Sequence, residues 1–209
     1  MAEPAAGGRL ARSQAARRER VLDVVLELAE EGGYDAIQLR PIQDRTGIAG
    51  GTIYRYFGSR DRMISAALDL WAKREIYDPA PQWREGRTPA EQLLAFQRHT
   101  WAVWERHPRM LEAYVRAALA DPEVAARSLR EMVPLTADIL HDVDPAYRDD
   151  VLMIVEQVFH SAMTYVVRGH LAVGDAYPLI ERTIKRLAQH PAMAEHRPKS
   201  WAWTPSRRR

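Results

Sequence analysis

Gly47-Ile48-Ala49-Gly50-Gly51-Thr52-Ile53-Tyr54-Arg55-Tyr56-Phe57 decides how the chain is read. It joins a turn to a short amphipathic helix whose exposed side carries Thr52, Tyr54, Arg55 and Tyr56. Hydroxyls suit phosphate oxygens, aromatic rings cover sugar edges, and Arg reaches phosphate or guanine. Upstream, Leu39 to Thr46 reads as another short helix with Leu39 and Ile42 facing inward. Two short helices about a Gly-containing turn make a helix-turn-helix, whose second helix enters the major groove.

Working outward, the periodicity is helical throughout, and no alternating apolar run is long enough for a strand. An all-α fold of about nine helices is expected. Residues 1–13 are rich in Ala, Gly and Arg and are expected to be a flexible arm. The first helix then runs to about Glu31, with Val21, Val25 and Leu28 on one face, and Gly32-Gly33 ends it. Tyr34, Ala36 and Ile37 pack the corner. Gln38 is placed to cap the second helix, and Pro41 sits in its first turn. Ser59 caps a helix from Arg60 to about Ile76 that buries Met63, Ile64, Ala67, Leu68 and Trp71.

Tyr77 to Arg87 holds Pro79, Pro81 and Gly86 and reads as a loop. Thr88-Pro89-Ala90-Glu91 is a capping box for a helix to about Arg106. His107-Pro108 opens a helix through Leu119, and Asp121-Pro122 one to about Asp142, interrupted at Pro134. Asp144-Pro145 opens a long helix to about Ala172. The last runs from about Tyr177 to His190, with Pro178 in its first turn. The expected units are a DNA-reading domain over 14–60, a body over 61–190 and flexible tails over 1–13 and 191–209. The tail's Trp201 and Trp203 suggest docking on the body.

The totals fit an ordinary soluble globular chain: 209 residues, 28% charged, 46% hydrophobic, formal net charge +2. There is no Cys, which excludes disulfides and thiolate metal sites. No apolar run has the length of a signal peptide or membrane span, so a cytoplasmic location is expected. The positive surplus is local. Arg9, Arg12, Arg17, Arg18 and Arg20 precede the first helix, and Arg40, Arg45, Arg55, Arg60 and Arg62 surround the motif. The basic arm suits a minor groove, and the tail carries Arg197, Lys199 and Arg207 to Arg209.

The run from Gly33 to Arg62, with its Thr-Ile-Tyr-Arg-Tyr-Phe and Ser59-Arg60-Asp61, resembles the DNA-binding domain of TetR-family repressors. Within that family, residues 32–40 and 50–57 most resemble the KstR group, which represses sterol-catabolism genes in actinobacteria. The resemblance implies an all-helical homodimer with a ligand pocket in its larger C-terminal domain. It places Gln38, Arg40 and Arg60 on the DNA backbone, Thr52 and Tyr56 near phosphates, and Tyr54 and Arg55 near base edges or phosphate. Ala49, Gly50 and Gly51 let the backbone approach closely, and Gly51 leaves room for the turn. Many members carry Lys where this chain has Gly50, so one phosphate contact is expected to be missing.

The body is rich in Trp, Met and Tyr. Trp71, Phe96, Trp101, Trp104, Met110, Leu111, Tyr114, Met132, Leu135, Met153, Phe159 and Met163 fit the lining of a large apolar cavity. A sterol-derived acid or its CoA thioester fits the resemblance, with Arg98, Arg106, Arg109 or Arg116 near the CoA phosphates. A multidrug-type sensor is the alternative regulator. Its cationic ligands call for buried carboxylates, for which only Glu112 and Glu156 are candidates. The last two helices carry Val151, Ile154, Val155, Val158, Tyr165, Leu179, Ile180 and Ile184. They are expected to pack partly on the body and partly on a twin subunit, which implies a palindromic double-stranded operator. Glu156 with His160, and His141 near Asp142 and Asp144, give no three convergent metal ligands. No nucleophile motif, phosphate-cradling Gly loop or acid–base pair points to an enzyme, and no cofactor is implied. A small helical enzyme and a protein-binding helical module remain the alternatives from other classes.

Overall fold

The computed structural model describes residues 5–78, 87–121, 123–124 and 136–194. Every regular element among them is helical: α1 Ala5–Ala36, α2 Leu39–Thr46, α3 Gly50–Phe57, α4 Arg60–Ala72, α5 Pro89–Arg106, α6 Pro108–Ala120, α7 Pro145–Val167, α8 Val173–Leu187 and α9 Pro191–Ala194. A π-helical turn, Lys73–Tyr77, extends α4.

The helix ends follow sequence chemistry where a polar cap was expected. Ser59 Oγ accepts from Arg62 N at 3.2 Å, and Asp144 Oδ1 from Tyr147 N at 3.1 Å. The Thr88 capping box closes in both directions. Three expectations need correction. Gln38 precedes α2 without capping it; its Nε2 donates to Asp35 O at 2.9 Å. The helix begins at Ala5, so the segment expected to be a flexible arm is largely helical. The turn between α7 and α8 comes earlier than expected, at 168–172, which puts Pro178 inside α8 rather than in its first turn. Met132, Pro134, Leu135, Trp201 and Trp203 lie outside the described residues.

The first three helices enclose Val21, Val25, Ile37, Ile42 and Ile53, all 2% exposed or less. This core runs without a break through α4 into the body. There α6 packs on α1, α4 and α7, while α8 lies between α5 and α7. Directions follow from contacts. Trp101 of α5 donates Nε1–H to Val173 O at the start of α8, while Arg98, earlier in α5, meets Glu181 further along it. Hence α5 and α8 run antiparallel. Tyr147 at the start of α7 donates to Leu187 O at the end of α8, so these are antiparallel too. It follows that α5 and α7 run parallel, joined where the Trp101 and Phe159 rings meet edge-on at 5.8 Å.

No helix among the described residues is long and apolar enough to cross a membrane.

Candidate nucleic-acid interface

The turn between α2 and α3 is set by Gly47, whose φ of 70° favours glycine and whose N–H returns to Gln43 O at 2.8 Å. Thr46 Oγ1 donates to Ile42 O and accepts from Ile48 N, which fixes the chain entering the turn. In α3, Ile53 and Phe57 are buried, one turn apart. The opposite face therefore turns outward: Tyr54 is 50% exposed, Arg55 and Gly51 are exposed, and Thr52 and Tyr56 are half-buried. A methyl group on Gly50 would lie 3.0 Å from Leu39 Cδ2, whereas one on Gly51 would meet nothing within 4 Å. The packing role expected of Gly51 thus belongs to Gly50. Gly50 permits the close approach of α2 and α3, and Gly51 faces open space.

Ala49 is exposed, and the basic residues divide into two groups. Arg40 and Arg55 lie on the exposed side, and among the described residues nothing holds either guanidinium. Arg45 grips Glu31 at 2.8 and 2.6 Å and reaches Glu27 at 3.5 Å. That pairing holds the Glu31 carboxyl below its usual range. Arg62 pairs with Asp121 at 3.1 Å, and Arg74 with Glu19 and Asp23. Arg60 requires a correction of its expected phosphate role. Its Nε donates to Ile37 O at 2.6 Å, its NH2 to Tyr34 O, and its guanidinium lies 4.1 Å from the Tyr34 ring centre. It fastens the corner between α1 and α2.

That corner is held by interactions the sequence did not reveal. The helical path breaks at Gly32 and Gly33, where Gly33 has φ 66° and ψ −157°. Glu112 of α6 enters the break and accepts from Tyr34 N at 3.3 Å. A Cβ on Gly33 would stand 2.0 Å from Glu112 Oε2, so another residue here must displace that carboxylate as well as adopt a φ that favours glycine. Arg116, one turn later, donates to Glu112 and to both oxygens of Asp35 at 2.8–2.9 Å. Its guanidinium holds the Asp35 carboxyl below the usual range. Arg109 donates to Glu30 O and Glu31 O, capping the carbonyl end of the first helical segment. His107 meets Glu30 at 2.5 Å. Tyr34 donates to Asp61 Oδ1 at 2.6 Å; burial and that carboxylate raise its phenol above the ordinary value. No spacing rule links Gly33 to Glu112 in a single sequence.

In the body, Trp71, Phe96, Trp101, Trp104, Met110, Leu111, Tyr114, Phe159 and Met163 are all buried. The rings form a chain from head to body: Trp71 to Trp104 at 4.9 Å, Trp104 to Tyr114 at 5.5 Å, and Trp71 edge-on to His107 at 5.2 Å. Met153 does not join them. It is 66% exposed, because α7 turns that face away from α6 and α8, and it lines no interior site. Arg109 and Arg116, two of the arginines expected near CoA phosphates, are committed to the corner. Glu112 is likewise no buried carboxylate awaiting a cation. Glu156 is 4% exposed, and burial pushes its carboxyl up to about 6.

Two family models match the sequence. Residues 21–74 match one described as "Bacterial regulatory proteins, tetR family", and residues 86–187 match "Tetracyclin repressor-like, C-terminal domain". Among named proteins, the HTH-type transcriptional repressor KstR of Rhodococcus jostii (strain RHA1) is 36% identical over 180 residues, which is 84% of each chain. KstR of Mycobacterium tuberculosis (strain ATCC 25618 / H37Rv) is 34% identical over 115 residues, 54% of this chain and 52% of that one. The crystal structure of a TetR transcriptional regulator from Rhodococcus sp. RHA1 superposes with a TM-score of 0.69. At 22% identity, covering 84% of this chain and 97% of the other, that likeness bears on the fold alone.

Proposed function

Because the chain belongs to the TetR family of transcriptional regulators, which are not enzymes, we propose that it is a homodimeric repressor that a large, mostly apolar effector releases from a palindromic operator. The observation that carries the reading is the outward face of α3. Thr52, Tyr54, Arg55 and Tyr56 stand on a helix fixed from behind by Ile53 and Phe57. Arg55 and Tyr54 read base edges or phosphate, Thr52 and Tyr56 bond to phosphates, and Arg40 with Gln38 touches the backbone beside α2. Gly51 allows close approach.

Dimerisation uses α7 and α8. Met153, Ile154 and Tyr165 leave an exposed apolar face on α7 that a second copy covers. The twofold axis sets the two α3 helices into major grooves one turn apart, roughly 34–36 Å. A buried effector acts by favouring a state in which that spacing is lost, and operator DNA must then weaken effector binding in return. The signal has two routes to the head. One is α4, through Trp71 on Trp104. The other is the clamp of α6 on the Gly32–Gly33 break.

The effector class we favour is a sterol-derived acid or its CoA thioester, in keeping with the resemblance to KstR and the buried aromatic residues of the body. The setting is cytoplasmic. The multidrug-type alternative keeps one specific observation in its favour, the buried carboxyl of Glu156. Selection of the purified protein on random duplexes, with and without a sterol-derived acyl-CoA, tests the reading. A palindrome enriched only without the thioester is the expected result. A palindrome indifferent to it removes this effector class, and no enriched sequence removes the repressor reading.

A further inference from the structure

Helix α5 presents an apolar stripe at helical spacing, Leu93, Phe96, Trp101 and Trp104, and two polar residues interrupt it on the buried side. Gln97 and Thr100 are each 1% exposed. On α7, Glu156 is 4% exposed. Gln97 Oε1, Thr100 Oγ1 and Glu156 Oε1 have no hydrogen-bond partner among the described residues.

The register of the two helices sets these residues at one level of the body. The parallel helices α5 and α7 meet where Trp101 faces Phe159. One turn back from Trp101 lies Gln97, with Thr100 beside it. One turn back from Phe159 lies Glu156. The layer's other side is closed by His160, whose Nδ1 bonds to Glu156 O at 2.9 Å and whose Nε2 lies 3.4 Å from Tyr114 Oη. A buried polar atom left unbonded is costly, and three together in a core are not explained by packing.

We propose that Gln97, Thr100 and Glu156 form a polar subsite that receives a neutral hydroxyl at the buried end of the effector. This rests on the effector-responsive reading above and sharpens it, since the effector is then apolar along its length and polar at its inner tip. A hydroxyl donates one hydrogen bond and accepts others. It bonds to Gln97 Oε1 while accepting from the Thr100 hydroxyl or a protonated Glu156. A ketone brings no donor and leaves Gln97 Oε1 unbonded. An ammonium requires Glu156 to be ionised in a layer whose burial favours the neutral acid. A hydrocarbon end leaves all three atoms unbonded.

The test uses the full-length protein and two matched series. One is cholestane, cholestan-3-ol, cholestan-3-one and 3-aminocholestane. The other is hexadecane, 1-hexadecanol, 2-hexadecanone and hexadecylamine. In at least one series the alcohol should bind roughly tenfold or more tightly than the other three. Gln97→Leu and Thr100→Val should each erase that preference and, without ligand, melt no lower than the parent, because no native bond is lost. The proposal is overturned if ketone, amine or hydrocarbon matches the alcohol, if none of the eight binds, or if both variants melt several degrees lower. An alcohol preference confined to the hexadecane series supports the subsite and removes the sterol class. Operator selection without ligand tests the repressor reading separately.

Discussion

Two polar regions of this molecule are built from similar residues and treated in opposite ways. At the junction of α1 and α6, Glu112, Arg116, Asp35, Arg109 and Tyr34 bond to one another or to backbone. Between α5 and α7, Gln97, Thr100 and Glu156 are more deeply buried, and each keeps an oxygen with no partner among the described residues. Buried polar groups normally find partners, because an unbonded one forfeits its hydration without return. The first region therefore behaves as a fastening and the second as a receptor. The difference predicts different penalties on mutation.

The largest effect is expected at Gly33. Gly33→Ala strains a φ of 66° and drives Glu112 from Tyr34 N. A loss of about 2–3 kcal/mol follows from the conformation and the hydrogen bond together. Chemical denaturation measures it, and a variant as stable as the parent would show that the corner is not a fastening. Arg55→Ala should leave stability within about 0.5 kcal/mol, since Arg55 holds nothing in the fold. It should weaken operator binding by about 1–3 kcal/mol, and a phosphate contact would also lower the salt slope by about 1. Filter binding over a salt series decides this, and unchanged affinity would remove Arg55 from the interface.

Glu156 probes the receptor side. Burial raises its folded value to about 6 from an ordinary 4.5. Between those values the folded chain binds more protons than the unfolded one, so stability falls as pH rises through that window. The total is about 2 kcal/mol. Glu156→Gln removes this term, so its stability relative to the parent should improve from about pH 4.5 to about pH 6 and then level off. A difference that stays constant with pH would mean the carboxyl is solvated. The smallest effect is at Tyr34. Tyr34→Phe loses the 2.6 Å bond to Asp61 and should cost about 1 kcal/mol in thermal denaturation.

Local chemistry explains how far the sequence could be read. The caps at Ser59, Thr88 and Asp144 and the turn at Gly47 depend on residues a few positions apart, and they stand in the structure as expected. Arg60 misled because its type and position suit a phosphate, while its partners, the carbonyls of Tyr34 and Ile37, lie some two dozen residues upstream. Met153 misled because helix α7 has one face on the body and another turned outward, and hydrophobicity marks both. Gln97 and Thr100 were visible as polar residues on an apolar stripe. Only the meeting of α5 and α7 at Trp101 and Phe159 gives that interruption meaning.

The pairing of arginines around the motif has a kinetic consequence. Of Arg40, Arg45, Arg55, Arg60 and Arg62, three are engaged within the protein and two are held by nothing described. Attraction to bulk DNA grows with the number of unengaged cations, whereas discrimination between sites grows with contacts to base edges. Such a head lingers briefly on random duplex. It searches by repeated release and capture more than by long one-dimensional excursions. Lengthening the DNA flanking an operator should therefore accelerate target location only slightly, and a steep acceleration would show that other cations of the chain grip the duplex.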